Sequence, residues 1–445
     1  MLKQLRTVIK ELHVFLILWS TQSLSALGSS MTNFALVVWS YQKTGSALTT
    51  SLLSICSYAP YVLLSMFAGA LSDKWDKKRT MLLSDSFAAV STVAVLFLLR
   101  TGRLEIWHLY FLNALNGLMN TIQKPASDVA ISLLTPRKHY QRVSGMLSFS
   151  NSLVTLLTPV FATALLSFTG LETVIFVDLI TFGIAFITLA FFIRIPAVVR
   201  DGAAQEEKLL RSVKQGLDYL KENRGILDLI LFLAVINLTA SIYNAALPAM
   251  LLSRAGGGEM VLGMVNTFTG IAMMAGSIVV SVIPEPRSRV RVICNTLLFS
   301  MSTENFILAF GRSGPVWCLG AVLGWICIPV MSANMDVILR SHIPVEMQGR
   351  VYSARNTLQF FTIPVGYLLG GLLVDRVFEP LMAAYAGGRL LGVMFGTGKG
   401  SGAAFLFLVI GVLGVFTCVA FRRDGYLWGL EDPHRGRNDE IIRKK

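Results

Sequence analysis

The chain has 445 residues, of which 54% are hydrophobic and only 15% are charged. A soluble domain carries about 25% charged residues, so this composition excludes an ordinary soluble globular protein. The net charge of +13 is spread over short segments between long apolar runs, which argues against a nucleic-acid-binding protein.

Twelve apolar runs follow one another along the chain. Each is near or above the roughly 20 residues that a helix needs to cross the hydrocarbon core of a bilayer. Backbone polar groups cannot stay unpaired in lipid, and the runs lack the two-residue alternation of a β-barrel, so they predict helices. The predicted fold class is an all-α membrane protein with 12 transmembrane helices. The spans are 13–37, 48–71, 80–100, 106–133, 145–168, 171–193, 225–251, 259–284, 292–311, 315–339, 350–375 and 402–421.

The positive charges lie mostly on one side of this topology. With both termini placed in the cytoplasm, 29 of the 39 Lys and Arg residues fall in inner segments and 8 in outer loops. Inner loops carry such an excess under the positive-inside rule. The sequence therefore predicts a multi-pass protein of the cell (inner or plasma) membrane, embedded in the lipid bilayer, with cytoplasmic N- and C-termini. The basic start of the chain leads into a full-length span, so we expect no cleavable signal peptide.

A polar stretch separates the sixth span from the seventh. Leucine and valine residues recur within it at helical spacing between Glu206 and Asn223, which predicts an amphipathic cytoplasmic linker helix. The predicted domains are an N-terminal six-helix bundle over 1–194, the linker over 195–224, and a C-terminal six-helix bundle with a basic cytoplasmic tail over 225–445.

The two halves also share a short repeat, which precedes span 5 in the first half and span 11 in the second. The offset between the two copies is 208 residues. A duplication of six helices predicts similarity at this place, so we expect two pseudo-symmetric six-helix bundles. The matching residues are Asp128, Val129, Pro136, Arg142 and Val143 in the first copy, and Asp336, Val337, Pro344, Arg350 and Val351 in the second.

The turn between spans 2 and 3 is dense in charge. It reads Gly69-x-x-x-Asp73-x-x-Asp76-Lys77-Lys78-Arg79. This pattern resembles the signature loop of the major facilitator superfamily of transporters. Further stretches resemble its drug:proton antiporter branch, which contains macrolide-efflux and enterobactin-exporter-like proteins. These stretches are 21–29, 34–46, 347–353, 375–380 and 395–398.

The resemblance implies a function as well as a fold. It implies a secondary active transporter that performs proton-driven efflux of an amphipathic drug or natural product, macrolide- or siderophore-like, by alternating access. The implied partners are a small-molecule substrate and protons as the coupling ion, and we expect a monomer. Proton-coupled uptake and a lipid or lysolipid carrier of the same fold are alternatives, and a non-transporting membrane sensor is an alternative of another class.

Two stretches depart from the antiporter pattern. Asn113 stands where many antiporters carry an arginine in span 4, three residues before a pair that here reads Asn116-Gly117. At the end of span 5, Pro159 is all that is kept of a glycine-rich signature. These departures leave the predicted fold intact and weaken the inference of standard proton antiport.

The signature loop has a predicted mechanical role. Gly69 has no side chain, so another helix can approach closely, and Asp73 is placed to accept hydrogen bonds from amides at a helix N-terminus. The resemblance makes span 11, which begins near Arg350, that helix, and the three residues form a predicted inner gate. The alternative is a charged turn that only sets orientation. The predicted gate set also includes Asp76, Lys77, Lys78, Arg79, Asp128, Arg142 and Asp336.

Polar stripes on spans 1, 4, 7 and 10 predict a substrate cavity, because polar groups in a span usually face the bundle interior or water. The resemblance implies that the same four spans line the central cavity. For each asparagine, an interhelical hydrogen bond is the alternative. The predicted cavity residues are Gln22, Ser25, Ser29, Asn33, Asn113, Asn116, Asn120, Lys124, Asn237, Ser241, Asn244 and Ser332.

Two carboxyl groups are candidates for carrying a proton. Burial away from water favours the neutral form of a carboxyl group, which is the property that such a carrier needs. Glu304 in span 9 lies deepest and is the first candidate, and Asp128 in span 4 is the second. Spans 6 and 9, which contain Asp178 and Glu304, are usually peripheral in the family that this chain resembles.

Catalytic and metal sites have no support in the residue pattern. The five histidines are scattered near span ends, and none of the five cysteines has CxxC spacing. The sequence contains no phosphate-binding loop of the Gly-Lys-Ser/Thr type, so it gives no support for ATP-driven pumping. We therefore predict no enzymatic activity, no catalytic residues, no metal site and no cofactor.

Overall fold

The computed structural model of the chain describes residues 2–136, 139–196, 206–384, 389–396 and 398–431, and the secondary structure in these ranges is entirely helical. Contacts divide the chain into two compact units. We call them the N-terminal unit, Met1–Glu206 with Glu259–Thr267, and the C-terminal unit, Glu207–Gly258 with Phe268–Lys445.

Six long helices form the N-terminal unit, and their ends follow local sequence signals. Asp76 caps the third helix, because its carboxylate accepts a hydrogen bond from the Arg79 amide at 2.8 Å. Gly170 separates the fifth helix from the sixth with a φ of 87°, a conformation that favours glycine. The helices are α1 (Leu2–Thr44), α2 (Ala47–Lys74), α3 (Lys77–Arg100), α4 (Ile106–Leu134), α5 (Tyr140–Thr169) and α6 (Leu171–Ile187), which a π-helical turn continues over Thr188–Phe192.

The described part of the C-terminal unit begins with the linker helix and ends with a short helix and a 3-10 turn after α17. The start of α9, Glu259–Thr267, groups with the N-terminal unit. The helices are α7 (Glu206–Glu222), α8 (Arg224–Ser253), α9 (Glu259–Val282), α10 (Arg289–Phe310), α11 (Gly314–Trp325), α12 (Ile328–His342), α13 (Val345–Phe360), α14 (Thr362–Leu372) with a π-helical continuation over Leu373–Phe378, α15 (Glu379–Ala384), α16 (Arg389–Phe395), α17 (Ser401–Arg422) and α18 (Gly425–Trp428).

The described helices cover all twelve predicted spans, so the all-α membrane fold is confirmed. Among the described residues, ten segments are long and apolar enough to cross a membrane. The remaining two predicted spans lie in α1 and α4, which have 43 and 29 residues. These two helices carry the polar stripes predicted for spans 1 and 4.

Spans 10 and 11 differ from their prediction as single helices, because each is broken near a proline. α11 ends at Trp325 and α12 begins at Ile328, with Pro329 in its first turn. α13 ends at Phe360, before Pro364 of α14. Proline lacks an amide proton and its ring crowds the preceding turn, which weakens a helix at that place. Proline does not always end the helix, since Pro60, Pro159 and Pro248 lie inside α2, α5 and α8.

The linker helix α7 packs through its last turns on the C-terminal unit. Leu220 is fully buried in the apolar core of this unit, and Leu217 contacts the same core. The Tyr219 hydroxyl donates a hydrogen bond to the His342 carbonyl at 2.9 Å. Leu217 and Leu220 of the predicted apolar spacing therefore lie on the side of α7 that packs on this unit.

The segment after α17 packs on the same unit. Leu427 is fully buried, and the Glu431 carboxylate accepts hydrogen bonds from the Val290 amide at 2.6 Å and the Ser288 hydroxyl at 2.7 Å. Glu431 thus satisfies amide and hydroxyl donors at the start of α10. The part of the predicted basic tail beyond Glu431 lies outside the described residues.

Candidate functional site

The N-terminal unit contains a cavity of about 540 Å³ among α1, α4 and α5, which we call the large cavity. Half of its lining residues are apolar and half are polar but uncharged. The lining residues are Phe15, Leu18, Trp19, Gln22, Ser23, Ala26, Ser30, Ser127, Ile131, Leu147, Ser150, Asn151, Val154 and Thr155.

The wall that α1 contributes follows from helical spacing, because residues three and four apart share one face of a helix. The Trp19 indole donates a hydrogen bond to the Met146 carbonyl at 3.1 Å, which fixes the ring against α5. Ser23 and Ser150 are hydrogen-bonded across the same interface. Among the described residues, the side-chain nitrogen of Gln22 is buried without a hydrogen bond of good geometry, and it lies beside Asp85 of α3. The large cavity therefore offers an aromatic wall and neutral polar groups.

A second cavity of about 130 Å³, the small cavity, lies among α1, α2, α3, α4 and α6. Asp178 of α6 is the acidic residue in its wall and is only 3% exposed. The Ser29 hydroxyl donates a hydrogen bond to Asp178 Oδ1 at 2.9 Å. The other lining residues are Thr32, Asn33, Leu36, Ser57, Ala88, Ser91, Thr92, Val95, Leu109, Leu112, Asn113, Asn116 and Asn120.

The predicted polar stripes of spans 1 and 4 are divided between these two cavities. Gln22 lines the large cavity. Ser25 and Lys124 line neither, and Lys124 is exposed. The predicted residues in the wall of the small cavity are Ser29, Asn33, Asn113, Asn116 and Asn120. The structure thus brings five of the eight stripe residues of these two spans into one polar compartment.

The predicted cavity residues of the C-terminal unit have different surroundings from one another. Asn237 and Ser332 are half-buried, and Asn244 is exposed. Ser241 is buried at a close contact between α8 and α14, where a Cβ on Gly366 would lie 2.5 Å from its Cβ. Ser241 therefore takes part in helix packing.

Glu304 lies in the interior of the C-terminal unit. Its side chain is 5% exposed, and Oε1 accepts a hydrogen bond from the Trp325 indole nitrogen at 2.8 Å. A Cβ on Gly324 would overlap Oε2, so α11 can approach α10 this closely because it has glycine there. Tyr243 of α8 is also buried, with its ring centroid 6.3 Å from that of Trp325. The glycine and the indole therefore enclose Glu304 within the C-terminal unit.

The second proton-carrier candidate has another environment. Asp128 is exposed on α4, and Asp336, its counterpart in the repeat, is half-buried on α12. Asp178 of α6 is buried against α1.

Two lysine side chains of the signature loop donate hydrogen bonds within the N-terminal unit. Lys77 is buried, and its ammonium donates a hydrogen bond to the Trp75 carbonyl at 3.1 Å. Lys78 donates to the carbonyls of Ala190 and Ile193, both at 2.8 Å. These carbonyls end α6 and its π-helical turn, where backbone acceptors lack helical partners. The side chains of the gate residues Asp73, Arg142 and Arg350, and the surroundings of Gly69, lie outside the described part of the structure.

Replacing Lys78 with methionine is expected to lower the unfolding free energy by about 1–3 kcal/mol, because two charge-assisted hydrogen bonds are lost while the aliphatic stem is kept. The midpoint of thermal unfolding of the purified protein measures this change. Arg79→Met, at an exposed position of the same loop, is the matched control and should unfold near the wild-type temperature. Equal midpoints for the two variants would contradict the capping role.

One membrane carboxylate was missed by sequence reasoning. Asp85 of α3 accepts a hydrogen bond from the Gln123 side chain of α4 at 2.6 Å. The sequence feature that could have identified Asp85 is an acidic residue inside the apolar run of the third span. An aspartate in such a run has to find a donor on a neighbouring helix.

Comparisons with known proteins agree with these features. The sequence profile of the Major Facilitator Superfamily matches residues 18–367. Macrolide efflux protein A of Streptococcus pyogenes is 22% identical over 366 residues, which cover 82% of this chain and 90% of that protein. The multidrug efflux pump Tap of Mycolicibacterium fortuitum is 22% identical over 375 residues, covering 81% of this chain and 89% of that protein.

Solved structures show the same fold. The crystal structure of the nucleoside transporter NupG superposes with a TM-score of 0.65 at 11% sequence identity. The superposition covers 92% of this chain and 99% of that one. At this identity the likeness concerns the fold alone.

Proposed function

Since this chain belongs to the Major Facilitator Superfamily of membrane transporters, we propose that it exports amphipathic small molecules from the cell by alternating access, driven by protons. The observation that carries the proposal is the large cavity, which combines apolar and neutral polar walls. Binding sites for drug-sized molecules have volumes of about 300–1,000 Å³ and are mostly apolar with a few placed polar groups. The volume of about 540 Å³ lies within that range.

The chemistry of the large cavity favours a neutral or weakly charged substrate. None of the described residues in its lining is Asp, Glu, Lys or Arg. The Trp19 ring suits an apolar surface, and the neutral side chains of Gln22 and Asn151 suit carbonyl or hydroxyl groups of the substrate. A macrolide-like compound matches these walls better than a multiply charged siderophore. The names of two relatives, a macrolide efflux protein and a multidrug efflux pump, also support export of a drug-like compound.

The proposed coupling group is Glu304. A proton carrier has to be held away from bulk water, and Glu304 is buried whereas Asp128 is exposed. Trp325 donates to the carboxyl group, so its orientation is set. This role assigns proton coupling to the C-terminal unit and substrate contact to the N-terminal unit.

The proposed gate and topology rest on the sequence. Gly69 and Asp73 would approach the start of span 11 at Arg350 and close the cytoplasmic side. The charge bias places both termini in the cytoplasm, and we propose a monomer as the transporting unit. The domains proposed are 1–194, 195–224 and 225–445.

Filling the large cavity tests this proposal. Ala26 lies in the wall of the cavity, and Ala26→Phe places a ring in the proposed substrate volume. We expect accumulation of radiolabelled erythromycin in inside-out vesicles with an acidic lumen to fall at least about tenfold, because the remaining volume no longer admits the substrate. Val90→Phe adds an aromatic ring on an exposed face of α3 that lines neither cavity and should transport like wild type.

Two results would contradict the proposal. Equal transport by Ala26→Phe and wild type, at equal amounts of protein in the vesicles, would remove the large cavity as the substrate site. Accumulation in right-side-out vesicles under an inward proton gradient would replace export with uptake.

A further inference from the structure

Among the described residues, a buried carboxylate and two buried oxygen atoms without hydrogen-bond partners of good geometry line the small cavity. Asp178 is 3% exposed, and α1 reaches it closely because a Cβ on Gly28 would lie 3.0 Å from its Cα. Ser29, the next residue, donates its hydroxyl to Asp178. The contact between α1 and α6 therefore holds the carboxylate at the cavity wall.

Thr32 presents the first unpartnered oxygen. It lies three residues after Ser29, on the same face of α1, and is only 6% exposed. Within the described part of the chain, its hydroxyl oxygen has no hydrogen-bond partner of good geometry, although it lies beside Asp178. The side-chain oxygen of Asn116, on α4, is likewise buried without a partner and lines the same cavity. Native proteins rarely leave such oxygens unsatisfied.

The described wall of the small cavity contains one charged side chain. This is Asp178, and none of the other described lining residues is Lys, Arg or His. An ionised carboxylate away from water is strongly unfavourable unless a cation pairs with it. A proton on Asp178 would remove the charge but would supply one donor for several acceptors.

The size of the cavity limits the ligand. A water molecule occupies about 30 Å³ of liquid volume, so a cavity of about 130 Å³ has room for an ion with a few waters. It is smaller than the roughly 300 Å³ at which drug-sized ligands begin to fit. Carboxylate, hydroxyl and amide oxygens are hard ligands that suit hard cations.

We propose that the N-terminal unit binds one monovalent alkali cation, with sodium as the ion, between the oxygens of Asp178, Thr32 and Asn116. One carboxylate balances one positive charge, whereas a divalent ion would leave a net buried charge. This site is distinct from the proposed substrate cavity and from Glu304.

Equilibrium binding of radioactive sodium ion to the purified full-length protein in detergent tests the proposal. The buffer holds choline at constant ionic strength, and potassium is added as a competitor. We expect saturable binding of about one sodium ion per chain, with potassium competing at least about tenfold more weakly. Thr32→Val should weaken sodium binding about tenfold, and Asp178→Asn should abolish it.

Matched variants separate a binding role from a folding role. Thr32→Val keeps the shape of the side chain and removes a buried unpaired hydroxyl, so its thermal midpoint without sodium should equal or exceed that of wild type. Thr158→Val makes the same change at another buried, unpartnered threonine that lines neither cavity, and should bind sodium like wild type.

Three results would overturn the proposal. They are an absence of sodium binding over the choline background, wild-type sodium affinity in Thr32→Val, and equal competition by potassium. The last result would show that the compartment does not select sodium.

Discussion

Replacing Gly117 with alanine is expected to destabilise the N-terminal unit by about 3 kcal/mol, at the upper end of the cost of overpacking. Gly117 of α4 packs on the backbone of α2. A Cβ at this position would overlap the carbonyl oxygen of Ser57 and lie 2.9 Å from its carbonyl carbon and 3.2 Å from its Cα. The obstacle is backbone in a helix, so it cannot rotate away as a flexible side chain can. The two helices would have to separate along their contact.

Gly183→Ala is the matched control for this substitution. Gly183 lies in α6, and a Cβ there would meet nothing within 4 Å. Alanine in a helix is favoured over glycine by about 0.5–1 kcal/mol, so this variant should be as stable as wild type or more stable. The thermal stability of both variants is measured on the detergent-purified proteins. The readout is the loss of the monodisperse chromatographic peak as the temperature rises. Gly117→Ala with a midpoint equal to that of Gly183→Ala would contradict close packing of α2 and α4.

Glu304→Gln is expected to reduce proton-driven accumulation of substrate in vesicles at least about tenfold. Glutamine keeps the size of the side chain and an oxygen that can accept from the Trp325 indole, so packing against Gly324 is preserved. It cannot bind and release a proton, and the coupled step is therefore lost. Exchange of labelled for unlabelled substrate without a gradient needs no net proton movement, and should stay within about twofold of wild type.

Glu285→Gln provides the control for that experiment. Glu285 is 89% exposed and pairs with Arg289 at the start of α10, so the same chemical change is made away from the interior. We expect its gradient-driven transport to match wild type. Gradient-driven accumulation by Glu304→Gln at the wild-type rate would remove Glu304 as the carrier. Loss of both accumulation and exchange would point to a structural role instead.

Sequence reasoning located most of the fold because the bilayer imposes a length on each apolar run. The helices over the runs from Leu52 to Leu71 and from Met81 to Leu99 follow from that rule. The breaks in spans 10 and 11 lie near Pro329 and Pro364, but Pro60 and Pro159 lie inside continuous helices. A proline in an apolar run therefore does not by itself predict where a helix ends.

The candidate site was less accessible to sequence reasoning. The stripe on α4 correctly grouped Asn113, Asn116 and Asn120, because helical spacing places them on one face. Spacing within one helix cannot tell which neighbour that face meets. Gly117 belongs to the same stretch and packs on α2, and Lys124 is exposed.

The sequence by itself determined the class of protein, the number of spans and the family, because span length, charge between spans and the signature loop are local properties of the chain. The tertiary structure decided which polar residues share a compartment and which carboxyl groups are buried. Asp178 is enclosed because Gly28 lets α1 pack closely on α6. Glu304 is enclosed because Gly324 lets α11 pack closely on α10. These environments depend on contacts between helices that are distant in sequence, and no single span contains that information.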